Sequence, residues 1–137
     1  MIKSINHIGI AVKNLEVSLD TFKKLFQVSE IHMEEVTAQK VKVASFKVGN
    51  VILELTQAID ETSPIAKFIE KKGEGIHHIA FETDNVNDEL DRLKNMNFSL
   101  INENAVPGAH DMQIAFLHPK STNSVLTELC QQNKTGY

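Results

Sequence analysis

The chain repeats itself. Residues 6–12, "NHIGIAV", return at 77–83 as "HHIAFET", and under a shift of 71 positions His7 falls on His78, Gly9 on Ala80 and Asn14 on Asn85. A repeat of this kind obliges both halves to accept one local fold, so an element assigned in the first half must reappear in the second.

The helices pass that test. Asn14 and Asn85 each read as an N-cap, because a side-chain carbonyl there accepts from the first free helical amides. Behind Asn14 come Leu15, Leu19 and Phe22; behind Asn85 come Val86, Leu90 and Leu93. Both sets follow i, i+4, i+7, the spacing of a helix with one buried stripe. After each helix the period drops to two. "KVKVASFKV" and "NVILELTQ" alternate around Gly49-Asn50, a tight hairpin signal, while "DMQIAFLH" and "SVLTELCQ" flank a turn at Pro119–Asn123. Segments 29–35 and 98–105 supply one further strand in each half. Each half therefore reads strand–helix–strand–strand–strand, an α+β arrangement. Between them lies a linker helix with Ser63 as cap, Pro64 in the first turn and Gly73 as stop. The expected layout is one domain over 1–137, with module 1 at about 2–58, the linker helix at about 63–73 and module 2 at about 75–131.

Composition narrows the class. With 42% hydrophobic and 23% charged residues the chain has the balance of a folded globular domain. Its net charge of −4 offers no basic field for a phosphate backbone, which argues against nucleic acid as a partner. A single cysteine, Cys130, fits a reducing compartment and reads as structural. The opening "MIKSINHIGI" runs directly into a strand pattern, and no apolar run is long enough to span a bilayer. The expectation is a cytoplasmic protein with no membrane partner.

The polar residues carry the chemistry. Side chains alternate faces along a strand, so His7 shares a face with Ile5, Gly9 and Ala11, and His78 with Ile76, Ala80 and Glu82. Small residues beside each imidazole leave room for another group. His77 points instead among the apolar residues that pack under a helix. The last strand of each half holds one carboxylate in an apolar run: Glu54 in "NVILEL" and Glu128 in "SVLTEL". A buried ionised glutamate is costly unless it is paired or bound to metal. His7, Glu54, His78 and Glu128 obey the same internal symmetry, which makes them one candidate ligand set. Two imidazoles and two carboxylates suit a divalent transition metal with two positions open for substrate oxygens; cobalt, nickel, zinc and manganese are all admissible. His110, His118 and Lys120 read as polar residues of a solvated hairpin, and Met33, Met96 and Phe116 as packing.

The stretches "NHIGIAVKNL", "SPIAKFIEKKGEGIHHIAFETDNV" and "PGAHDMQIAFLHPKST", with "VLTEL" after them, resemble the vicinal oxygen chelate (glyoxalase/bleomycin resistance/dioxygenase) superfamily, and within it the methylmalonyl-CoA epimerase family. The resemblance implies eight strands in two βαβββ modules, forming a curved sheet that encloses a cleft around one divalent metal. It further implies a homodimer, an acyl-CoA substrate, cobalt as the favoured metal and a place in propionate metabolism. Carried over by position, the family's metal ligands fall on His7, Glu54, His78 and Glu128, with glutamine in some members at the position of Glu54. The implied reaction is epimerisation of methylmalonyl-CoA at its α-carbon through an enolate, with Glu128 as one base and Glu54 or a bound water as the other. The sequence departs from the family at Val43, where some epimerases place a glutamate base, and at Asp111, where glycine is usual. A glyoxalase I-type isomerase of a glutathione thioester is the rival within the same chemistry, weighed against by the absence of tryptophan. An extradiol dioxygenase needs only three protein ligands, and a non-catalytic binding protein needs no metal set at all.

Overall fold

The computed structural model describes residues 1–134 and contains, among them, eight strands and three α-helices. They run in the order β1 (Ile2–Ala11), α1 (Leu15–Phe26), β2 (His32–Val36), β3 (Val41–Val48), β4 (Val51–Ala58), α2 (Pro64–Lys72), β5 (Gly75–Thr83), α3 (Val86–Asn95), β6 (Val106–Pro107), β7 (Met112–Leu117) and β8 (Thr127–Gln132). This is the α+β class and the pair of βαβββ modules expected. By packing, the chain falls into two compact units, one of residues 7–77 and the other of residues 1–6 together with the chain from His78 onward. None of the helices among the described residues is long and apolar enough to cross a membrane.

In the first unit the strands lie in the order β2-β3-β4-β1. Gly49, at φ +61°, turns β3 back onto β4 in an antiparallel hairpin, and β1 runs parallel to β4 with His7 opposite Ile52 and Gly9 opposite Glu54. Asn14 caps α1 by accepting from the Val17 N–H at 3.1 Å. The helix then lays its stripe on one side of this sheet, where Leu19 and Phe22 pack against buried Val12, Leu15, Ala44, Phe46 and Leu55. Ser63 caps α2 from its side chain, Pro64 occupies the first turn, and Gly73 closes it at φ +78°. Here β2 starts at His32, three residues later than the pattern suggests, because Gln27 turns left-handed at φ 55° to end α1.

The second unit repeats the plan with the strand order β5-β8-β7-β6. β5 runs parallel to β8 with Ala80 opposite Glu128, matching Gly9 and Glu54. Asn85 caps α3 by accepting from the Asp88 N–H at 3.0 Å. Buried Val86, Leu90 and Leu93 then pack on Ala115, Leu117 and Leu129. Lys3 is paired with Asp84, and the Met1 ammonium with Glu89 at 2.9 Å, which ties the first residues to α3 and the turn before it.

One expected strand is not there. Segment 98–105 makes only a single bridge, Leu100 to Leu117, and the paired strand is Val106–Pro107. Asparagine side chains account for the difference. Asn97 is left-handed at φ 66°, Asn102 Oδ1 accepts from the Phe116 N–H at 2.8 Å, and Asn87 Oδ1 accepts from the Ala105 N–H at 2.9 Å. Side-chain amides thus take hydrogen bonds that a ladder would otherwise make. Likewise Asn123 and Ser124 are both left-handed, so the turn extends through Ser124 and β8 begins only at Thr127.

Candidate active site

Each unit places one imidazole and one carboxylate together on its buried sheet face. In β1 the buried residues are His7, Gly9 and Ala11, alternating with half-buried Ile8 and Ile10. Because Gly9 stands beside Glu54 on the neighbouring strand, no side chain comes between the glutamate and His7 from that position. His7 Nε2 lies 3.7 Å from Glu54 Oε2, and the two residues are only 4% and 6% exposed. That separation is too long for a hydrogen bond, and no hydrogen bond reaches Glu54 Oε2 among the described residues. A carboxylate oxygen in this state carries a large desolvation penalty unless a cation neutralises it. Nitrogen and carboxylate donors of this kind fit a divalent transition metal.

The second unit makes the matching pair. His78 Nε2 lies 2.9 Å from Glu128 Oε2, with the residues 5% and 3% exposed. Ala80 takes the place of Gly9. The two pairs differ in what stands across the hairpin. Buried Ser45 on β3 faces Glu54, whereas Phe116 on β7 faces Glu128. The Phe116 ring meets His78 edge-on, with centroids 5.6 Å apart and planes at 89°. Val43 is buried opposite Thr56 and shares a strand face with Ser45; an apolar residue there supplies no base.

Two glutamines escaped the sequence reading. Gln57 Oε1 accepts from the Leu15 N–H at 2.7 Å, and Gln131 Oε1 accepts from the Val86 N–H. Each satisfies a free amide in the first turn of its helix from the strand that carries the glutamate, three residues beyond it. The signal was present, since both glutamines obey the shift that relates Glu54 to Glu128. His77 packs edge-on against Phe68 of α2, with centroids at 4.9 Å, as its face predicts. Exposed His118 accepts from the Lys120 N–H through Nδ1 at the head of a short turn. His110 and Asp111 are consecutive left-handed residues, so Asp111 occupies a conformation that glycine adopts more readily. Cys130 is fully buried, with Sγ 3.5 Å from the Phe81 carbonyl oxygen.

Residues 6–116 match the model of the Glyoxalase/Bleomycin resistance protein/Dioxygenase superfamily. The chain is 39% identical over 127 residues to the uncharacterised protein YqjC of Bacillus subtilis, covering 93% of this chain and 91% of that protein. It is 35% identical over 128 residues to the mitochondrial methylmalonyl-CoA epimerase of Homo sapiens, covering 93% and 73% of the two chains. A Streptomyces coelicolor methylmalonyl-CoA epimerase solved with 2-nitronate-propionyl-CoA superposes with a TM-score of 0.93 at 29% identity, covering 100% of this chain and 99% of that one. The chain belongs to the glyoxalase/bleomycin resistance protein/dioxygenase superfamily and, within it, to the methylmalonyl-CoA epimerase family of isomerases.

Proposed function

We propose that the protein is a metal-dependent epimerase of methylmalonyl-CoA, with His7, Glu54, His78 and Glu128 as the ligands of one divalent ion. The observation that carries this reading is the recurrence of a buried His–Glu pair at the same register in both modules. Neutral imidazole and carboxylate are the donors such an ion takes, and two of the relatives named above are methylmalonyl-CoA epimerases, one of them solved with an acyl-CoA analogue. When bound, a divalent ion supplies positive charge to an oxygen of the thioester as charge builds there.

The residues themselves do the rest. Inversion at the α-carbon requires a base on each face of a planar enolate. Glu128, as the carboxylate, accepts the α-proton on one face; Glu54, as the carboxylic acid, delivers a proton on the other; proton exchange with solvent restores both before the next turnover in the same direction. Val43 leaves its own position without a carboxyl, so we assign the second face to Glu54, acting directly or through a bound water. Burial of both glutamates keeps water from competing for the carbanion.

On the finer points, cobalt is the first ion to test, and the assembly we propose is a homodimer in the cytoplasm, consistent with one buried, reduced cysteine. The experiment is deuterium uptake at the α-carbon of methylmalonyl-CoA by the metal-loaded protein. Uptake from both epimers, with interconversion, supports the proposal; no uptake from either rejects it.

A further inference from the structure

The asymmetry between the two modules points to how the substrate is selected. At equivalent places across the hairpin from the two glutamates, one module has buried Ser45 and the other has Phe116. Residues directly opposite on antiparallel strands share a face, so the Phe116 ring stands on the side of the sheet to which Glu128 points. Its edge-on contact with His78 fixes the ring against the imidazole of the same pair. Phe116 is nevertheless only half-buried, packed at the border of the cluster of Ala80, Met112, Ile114 and Cys130. A packed ring that keeps exposed surface beside two buried polar side chains forms an apolar wall, left partly open among the described residues.

We infer that Phe116 is a specificity-determining residue, whose ring bounds the space beside His78 and Glu128 and limits the size of the α-substituent on the acyl-CoA. This rests on the function proposed above. A malonyl thioester presents two polar ends to the site, a carboxylate and a carbonyl, and one apolar group on the carbon between them. That apolar group needs an apolar neighbour near the base. Phe116 supplies one where Ser45, its counterpart, offers a short polar side chain. Discrimination by a wall of this kind is about tenfold or more for each methylene that does not fit.

The test compares methylmalonyl-CoA with ethylmalonyl-CoA and butylmalonyl-CoA in the full-length, metal-loaded protein, as wild type and as Phe116→Leu and Phe116→Ala. Both kcat/KM and the dissociation constants of the thioesters are measured, with circular dichroism to confirm that each variant is folded. The expected result is a wild-type preference for the methyl compound that falls in the order wild type, Leu, Ala, with a relative gain for the butyl compound of about tenfold or more in the alanine variant. If Phe116→Ala fails to fold, the ordering of wild type and Phe116→Leu decides. An unchanged ratio among the three thioesters, or an equal loss on all of them, overturns the role of Phe116 and leaves the proposed reaction standing. A wild-type protein that neither binds nor converts any of them overturns both.

Discussion

Glu128 Oε2 lies 2.9 Å from His78 Nε2, and both residues are buried. A carboxylate held in this way has a fixed position and little access to bulk water, two properties that a proton acceptor at carbon requires. Replacing Glu128 by glutamine keeps the shape and removes both the base and a charged ligand of the proposed ion, so bound metal is measured beside activity. The expected loss in epimerisation is roughly 10²–10⁴-fold, the usual worth of a positioned general base. Steady-state assays together with deuterium uptake check it. Glu54→Gln should lower interconversion while retaining more exchange from one epimer than from the other, because a single base remains.

The helix–strand ties predict a smaller effect that belongs to stability. Gln131 satisfies the Val86 N–H at the head of α3, so Gln131→Ala leaves that amide to water and should lower stability by about 1 kcal/mol. Gln57→Ala should act similarly through Leu15 at the head of α1. Urea denaturation followed by circular dichroism measures both.

Packing gives the largest predicted loss. Leu90 is 1% exposed in the cluster with Leu93, Leu117 and Leu129, where α3 meets its sheet. Leu90→Ala removes buried carbon and leaves a cavity, with an expected cost of about 2–5 kcal/mol. Thermal and urea unfolding would register it, and activity per folded molecule should change little, since the residue lies in the helix–sheet core.

Acid should release one clamp. The Met1 ammonium and the Arg92 guanidinium beside Glu89 hold its carboxyl below the usual carboxylate range. A carboxyl with a lowered folded value contributes stability that is complete above its unfolded range and is lost as the pH falls through the folded one. Wild type should therefore be more stable than Glu89→Gln at pH 7, and the difference should narrow steadily below about pH 4.5, the ordinary value for the group. Denaturation curves at a series of pH values test the sign.

Much of this architecture can be read from the sequence because duplication states each element twice. The asparagine caps, the stripes of α1 and α3, the Gly49-Asn50 hairpin and the bounds of α2 all follow from local chemistry, and local chemistry is what a sequence displays. The repeat marks His7, Glu54, His78 and Glu128 as equivalent residues of the two halves; that they meet as His7–Glu54 and His78–Glu128 depends on β1 lying beside β4 and β5 beside β8. Segment 98–105 was illegible for the opposite reason. Its apolar residues alternate like a strand, but the side chain of its own Asn102 accepts from the Phe116 N–H, and Asn87 of α3 accepts from its Ala105 N–H. Phe116 reads as packing from sequence, and it does pack. Its contact with His78 depends on which strands become neighbours, information that alternation alone does not hold.

The most direct measurement is metal content coupled to turnover in the same preparation. Protein stripped with a chelator, then refilled with cobalt, nickel, zinc or manganese, is assayed for epimerisation of methylmalonyl-CoA and for bound ion per chain. The expected result is about one divalent ion per chain, loss of activity on stripping and its return on refilling, with both binding and turnover reduced in a His7→Ala, His78→Ala double variant. Full turnover in protein free of every divalent ion would contradict it.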